Sequence, residues 1–384
     1  MNLNNLRPTW LEIDLDTIGY NIREVQQHLE DSTDIMAIVK ADAYGHGAVE
    51  VSKLAIQKGV RWLGVATVEE GVRLREEGID INILILGTVL SNQIEDVVAH
   101  NLTPTVYSYD LAKRLNQLNQ KIKIQLKIDT GMGRIGLLVD EAVTEIKKIA
   151  NLPNIIIEGI FTHFAVADEN REYTKEQLTN FNQIIADLEK EGIDIPIKHA
   201  ANSAAIIDFP KAYFNLVRMG IVMYGLYPDS KLSSKMNKII RLRPAMVWRA
   251  RIVHIKELDK GKSISYGCTY TTTRKTKIAT LPVGYHDGYS RRLSGGSVLV
   301  NGQRREILGR VCMDQMMIDV TDIDVKVGDI VTLLGRDNEE VISTEELADK
   351  VGTINYEIIS RVGPRVPKVF YQQGEVIGIK GEVE

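Results

Sequence analysis

The sequence predicts an α/β protein, a (β/α)8 TIM-type barrel followed by a mostly-β domain. Three observations lead there. Eight short apolar runs recur between Ile35 and Val217, spaced roughly 20–40 residues apart, with helical periodicity between most of them. After residues 227–230 that cadence stops, and short strand-like runs take over. Polar residues cluster where the barrel runs end, the face on which barrel enzymes place their chemistry. The expected division is 1–240 for the barrel and 241–384 for the β-rich domain, with about the first ten residues free to pack with the second domain.

Trp10–Asp14 alternates as a strand, and a helix is expected over Thr17–Leu29. The eight barrel runs are Ile35–Val39, Trp62–Ala66, Ile83–Leu86, Thr103–Val106, Ile122–Ile128, Ile155–Phe161, Ile197–Ala200 and Phe214–Val217. Helices are expected over Val68–Glu77, stopped by Gly78, and over Arg171–Glu191, stopped by Gly192. A doubly wound open sheet would give the same alternation, but eight units favour a closed barrel. Polar residues Lys231, Ser233, Ser234 and Lys235 mark the transition. Strands are then expected at Met246–Lys256, Lys277–Val283, Ser297–Val300, Arg305–Leu308, Met316–Val320 and Ile330–Leu334. Asn301–Gly302 reads as a two-residue hairpin turn. One helix stands out, opening at Ser343 with Glu346 three residues on, as in a capping box.

Composition narrows the partners. Lys+Arg 47 against Asp+Glu 51 gives a formal charge of −4, which argues against nucleic acid or an anionic membrane. The apolar stretch Ile81–Leu90 is too short and interrupted to span a bilayer. The start MNLNNLRPTW lacks the basic-then-apolar build of a signal peptide, so cytoplasmic residence is expected. Cys268 and Cys312 make neither a disulfide framework nor a zinc spacing, and seven scattered histidines show no paired metal motif, so no catalytic metal is expected.

The polar strand ends carry the functional information. Lys40 ends the first barrel run, just before Asp42, Tyr44, His46 and Gly47. A partly buried amine there has a lowered pKa and can attack a carbonyl, although a lone lysine at a strand end is more often solvated. Lys127 and Asp129 end the fifth run, leading into Thr130–Gly136 with Arg134. Thr162–His163 follow the sixth, Asn202–Ser203 the seventh, and Arg218 with Gly220 the eighth. The loops after strands seven and eight are the usual phosphate site of this fold. Lys127 shares a face with Gln125 and Asp129; inside a barrel it must be paired, neutral or modified. Gly131, Gly133 and Gly136 mimic a dinucleotide fingerprint but follow the fifth strand rather than the first. His163 alone reads as an ordinary core or loop histidine. In the second domain, Tyr-Gly pairs at Tyr266 and elsewhere are common turn elements.

Together, AIVKADAYGHG (Ala37–Gly47), KIDTGMGRIG (Lys127–Gly136), THFAVAD (Thr162–Asp168), HAANSAA (His199–Ala205), VRMGIVMYG (Val217–Gly225), SYGCTY (Ser265–Tyr270), GYHDGY (Gly284–Tyr289), GRVCMDQ (Gly309–Gln315) and INYEI (Ile354–Ile358) resemble the alanine racemase family. The resemblance runs from about Trp10 to Val366. It implies a fold-type III enzyme using pyridoxal 5'-phosphate, a head-to-tail homodimer with shared active sites, and interconversion of L- and D-alanine that supplies D-alanine for peptidoglycan. By that resemblance Lys40 carries the cofactor and is the base on the D-side, and Tyr266 of the other subunit is the base on the L-side. Two bases suit inversion, since one group cannot readily reach both faces of the α-carbon.

The same resemblance assigns Tyr44, Ser203, Gly220, Ile221 and Tyr356 to the cofactor phosphate, and Arg218 to the pyridine nitrogen, kept unprotonated by the fixed positive charge. His163 links Arg218 to Tyr266. Arg134 contacts the cofactor's phenolic oxygen and the substrate region. Met313 and Asp314 serve the substrate carboxylate from the partner subunit. Lys127 matches a lysine that is carbamylated in many members. Tyr285, Arg291, Arg310 and Ile354 resemble the substrate corridor. His286 departs from the family's usual small residue beside that corridor, and Cys268 looks incidental. The competing readings are a serine or broad-specificity racemase, a decarboxylase of the same fold type (disfavoured by Arg218), and a non-catalytic binder of the cofactor. The binders resemble the barrel alone.

Overall fold

The computed structural model describes residues 6–229 and 233–381. Ser230 and Lys231 of the expected transition, and the first five residues, lie outside that range. The chain forms two compact units, one of Ile18–Ala43 and Ala48–Arg243, the other of Met1–Thr17, Tyr44–Gly47 and Pro244–Glu384.

In the first unit the eight expected runs become eight parallel strands in the expected order: Asp34–Ile38, Trp62–Val65, Asn82–Ile85, Thr103–Val106, Ile122–Asp129, Ile155–Phe161, Ile197–His199 and Leu216–Met219. The last pairs back on the first, with Arg218 opposite Met36, so the open-sheet alternative falls. The remaining seam is crossed by the Arg218 N–H to Ala201 O (3.0 Å) and the Lys198 N–H to Asn215 Oδ1 (2.9 Å), leaving a nearly closed barrel. Met36, Ala37, Leu63, Ile83, Leu84, Ile124, Leu126 and Ile160 are fully buried, as strands covered on both faces require. One boundary moves. Phe214 was expected to open the last strand, but its φ of +51° takes it out of the ladder, and its ring packs edge-on against Phe181 at 5.4 Å. The helices Val68–Glu76 and Arg171–Lys190 end just before Gly78 and Gly192 as expected.

The second unit is built on an eight-stranded sheet and a three-stranded sheet. Thr9–Asp14 lies in the larger one, antiparallel to Met246–Arg251 and parallel to Lys368–Gln372. The expected single strand Met246–Lys256 is two strands. At Ile252 and Val253 the backbone N–H groups turn to Asp329 O (2.9 Å) and Thr280 O (3.0 Å), and His254–Leu258 joins the three-stranded sheet instead. Ser297–Val300 and Gln303–Glu306 form the expected hairpin, with Asn301 and Gly302 at φ +53° and +74°; its second strand starts before the expected Arg305. Ser343 Oγ caps Thr344–Val351 by accepting the Glu346 N–H (3.1 Å), while the Glu346 carboxylate binds Arg304 at 2.6 Å. A second helix, Asn355–Ser360, went unread because it is short and has no side-chain cap.

The excursion Tyr44–Gly47 belongs to this second unit. Gly45 sits at φ +82°, and a Cβ built on it would lie 2.3 Å from Ile359 O. No side chain fits there without moving backbone. Gly45→Ala is therefore expected to lower unfolding free energy by about 2–4 kcal/mol, read as a lower urea midpoint at unchanged slope.

Candidate active site

The barrel strand carrying Lys40 ends in an unusual turn. Ala41, Asp42 and Ala43 have φ/ψ of 52/50, 51/47 and 55/49, and Tyr44 follows at φ +54°. This is a short left-handed helical turn made without glycine, a conformation costing about 1–2 kcal/mol per residue. Such strain persists only where neighbours over-determine it. Glu70 does so, accepting the Ala41 and Ala66 N–H groups at 2.7 Å each, while Asp42 Oδ1 accepts the Ala48 N–H at 2.9 Å. Thr67-x-x-Glu70 reads locally as a capping box, yet the Glu70 carboxylate serves the lysine turn. Burial lowers the Lys40 pKa, the nearby Arg134 charge lowers it further, and Glu70 opposes both. An amine so placed is more often neutral, and hence nucleophilic, than a surface lysine.

Arg218 is the hub of the barrel mouth. Only 4% exposed, it donates to Thr162 O (2.8 Å), Ala200 O (2.8 Å) and His199 O (3.3 Å) and approaches Nδ1 of His199 (2.9 Å) and of His163 (3.2 Å). Among the described residues it makes no ion pair. Burial lowers its pKa to about 9, still above neutrality, so the cation persists. A guanidinium can only donate, so each facing Nδ1 must accept, and each ring carries its proton on Nε2. The His199 Nε2–H donates to Gln125 Oε1 (2.7 Å). Burial and the surrounding cations push both histidine pKa values well below the ordinary 6.5. His199, Gln125 and Phe161, on which His199 stacks at 4.6 Å, were not read as site residues from sequence. His199 stood in a quoted motif without a role.

Lys127 is 3% exposed, and its Nζ has no hydrogen-bond partner, lying 4.8 Å from the Phe161 ring centroid. Burial, then the charges of Arg218 and Arg134, push its pKa far down. Asp129, on the same expected face, does not pair with it. Its Oδ1 collects the N–H groups of Gly131 (3.0 Å), Met132 (2.8 Å) and Gly133 (3.1 Å), and Oδ2 that of Arg134 (3.1 Å). Partial burial opposes that charge, but the four donors prevail and hold the carboxyl below its usual range. The glycines here wrap a carboxylate rather than a dinucleotide. After strands seven and eight, Ser203 Oγ accepts the Gly220 N–H at 3.1 Å, next to the fully buried Ile221.

In the second unit, Tyr44 and Tyr356 come together with ring centroids 6.1 Å apart, and burial pushes the Tyr44 phenol up to about 12. Tyr266 is 71% exposed, and Met313, Ile354 and Tyr285 are exposed as well. Tyr285 and Arg291 line a cleft of about 670 Å³ together with Arg292 and Arg361, which had no sequence signal. Asp314 is held by Arg365 Nη2 at 2.6 Å. The buried Asp287 of GYHDGY accepts from Arg365 (2.6 Å), from the Gly284 N–H (2.9 Å) and from Arg7. Three separated motifs thus share one carboxylate, a role invisible in the sequence.

A parallel barrel whose strand ends gather two depressed-pKa lysines, a buried arginine and two neutral histidines defines a barrel enzyme with its chemistry at the usual face. Residues 13–228 match the alanine racemase N-terminal domain model and residues 245–370 the alanine racemase C-terminal domain model. The chain belongs to the alanine racemase family. It is 50% identical over 377 residues to the alanine racemase of Halothermothrix orenii, covering 96% of this chain and 98% of that one. Identity to the Methanococcus maripaludis alanine racemase is 48% over 370 residues, covering 94% and 98%. The solved alanine racemase of Clostridium difficile 630 superposes with a TM-score of 0.93 at 43% identity, covering 98% of each chain. Among the described residues no helix is long and apolar enough to cross a membrane.

The neutral, buried His199 makes stability pH-dependent. Below 6.5 the unfolded chain takes up a proton that the folded protein refuses, so unfolding free energy falls as pH drops. Its contribution to the slope approaches about 1.4 kcal/mol per pH unit, with His163 acting in the same direction. Urea melts between pH 7.5 and 5.5 should show the decline, and a flat profile would contradict it.

Proposed function

We propose that this member of the alanine racemase family, an isomerase interconverting L- and D-alanine, works with two bases from two subunits of a homodimer. Lys40 would act on the D-side and the partner subunit's Tyr266 on the L-side. The observation that carries the reading is the environment of Arg218, held by three carbonyls and two imidazoles with no carboxylate beside it.

The residues present fit pyridoxal 5'-phosphate. Lys40 offers an amine of lowered pKa for the covalent link; Ser203, Gly220 and Ile221 follow the strands that usually cradle phosphate, and the family resemblance assigns Tyr44 and Tyr356 to the phosphate as well. When bound, the cofactor supplies the conjugation that lets an amino acid's α-carbon carry negative charge. Arg218, a fixed cation, would disfavour protonation of a ring nitrogen held beside it, which would suit reversible proton exchange better than decarboxylation. Its hold on His163 Nδ1 leaves the Nε2 proton free, which would let His163 orient the partner subunit's Tyr266. Lys127, neutral and orphaned, suits capture of carbon dioxide as a carbamate, whose negative charge would pair with Arg134. Met313 and Asp314 would meet the substrate carboxylate region, and Tyr285, Arg291, Arg310 and Ile354 the corridor. Exposure of Tyr266, Met313, Ile354 and Tyr285 supports a partner surface. Supply of D-alanine to peptidoglycan from a cytoplasmic enzyme completes the reading.

The direct test supplies L-alanine and L-serine separately to the cofactor-loaded protein in deuterated water. D-alanine carrying one α-deuterium, with little D-serine, is the expected product; exchange without inversion would refute paired bases. Tyr266→Phe should lower turnover at least about 100-fold. Shared sites make a further demand. Mixing inactive Lys40→Ala and Tyr266→Phe proteins should restore up to about a quarter of wild-type activity, because half the redistributed dimers regain one intact site. No recovery after demonstrated subunit exchange would place both bases in one chain. Lys127 should show a carbamate signal with carbon-13 bicarbonate that Lys127→Ala lacks.

A further inference from the structure

We propose that Ser265 is a positioning residue that aims Tyr266, holding it in a strained turn clamped by Arg310. The inference rests on the two-base reading above and names what controls one of the bases. Tyr266 is 71% exposed, so within its own subunit little packing fixes its direction. Its aim must come from the backbone.

That backbone is abnormal. Ser265 has φ +64° and ψ 179°, a region essentially reserved for glycine. Gly267 and Cys268 follow at φ +74° and +46°, so three residues of the turn around Tyr266 have positive φ. A serine stays in such a conformation only if something outweighs its preference for extended backbone. Here Ser265 Oγ donates to Arg310 O at 2.6 Å, with Cys312 Sγ 3.5 Å away. On the other side of Tyr266, a Cβ built on Gly267 would lie 3.0 Å from Arg310 Nη1. Arg310 therefore holds the turn by its carbonyl before the tyrosine, and its guanidinium end lies beside Gly267 after it, where a side chain would be crowded. Without the Oγ bond, Ser265 is free to relax to negative φ, which reorients the following peptide and swings the Tyr266 ring.

An alanine at 265 keeps the steric strain and removes the bond; a glycine removes both. Either change should misdirect one base and leave Lys40 untouched. Because the equilibrium constant is the same for every variant, kcat/KM in the two directions must fall together, so rates alone cannot distinguish misaiming from general damage. Isotope effects can. Wild-type, Ser265→Ala, Ser265→Gly and Ser265→Thr holoenzymes would be assayed with α-deuterated L- and D-alanine, after dimer state and cofactor absorbance are checked. We expect kcat/KM to fall at least about 10-fold in the alanine and glycine variants. The primary isotope effect should rise with L-alanine and fall with D-alanine, and threonine, which keeps the hydroxyl but adds a branch at a positive φ, should recover part of both. Unchanged rates in Ser265→Ala and Ser265→Gly, or equal losses with unaltered isotope effects, would overturn the proposal. If Tyr266→Phe itself fails to produce the L-side asymmetry, the two-base reading fails and the positioning role falls with it.

Discussion

The barrel mouth is organised around one buried charge that has no counter-charge among the described residues. Arg218 enters the closing strand among carbonyl oxygens and imidazole nitrogens, so its cation is balanced by dipoles alone. That fixes the tautomers of His163 and His199, which can face a guanidinium only as acceptors. Burial, and then the Arg218 charge, push the pKa values of Lys127 and both histidines down. The resulting site is positive in field but rich in neutral nitrogen bases. A field of that sign favours anionic ligands while leaving amines able to take up protons.

A second constraint is backbone strain beside the reactive groups. The left-handed turn after Lys40 is held by Glu70 and Asp42, and the positive-φ turn around Tyr266 by Arg310. In each case a carboxylate or carbonyl from elsewhere in the same unit supplies what the local chain lacks. For Tyr266, 71% exposed, the peptide that carries it sets the direction of the side chain.

The strands were legible because burial on both faces writes itself as an unbroken apolar run, as at Ile155–Phe161 and Thr103–Val106. The Asn301–Gly302 hairpin and the Ser343 cap were equally readable, since their signals are local. Reading failed where partners changed. Met246–Lys256 is continuous in pattern but switches sheets at Ile252–Val253, a decision made by Asp329 and Thr280. Phe214 is as apolar as a strand residue, yet its φ belongs to a turn. Asp129 sits in phase with Lys127 yet binds its own loop.

The sequence by itself determined the number and order of the barrel strands, the β-rich second unit, and the family motifs that carry Lys40, Arg218 and Tyr266. These follow from hydrophobic period and local turn chemistry, which act between residues near in sequence. Only the tertiary structure decided which charges meet: that Arg218 faces two histidines, that Lys127 has no partner, that Asp287 joins Arg7 to Arg365, and that Arg310 clamps the Tyr266 turn. Protonation states and side-chain aim are set by burial and by groups tens to hundreds of residues away, and no local pattern encodes them.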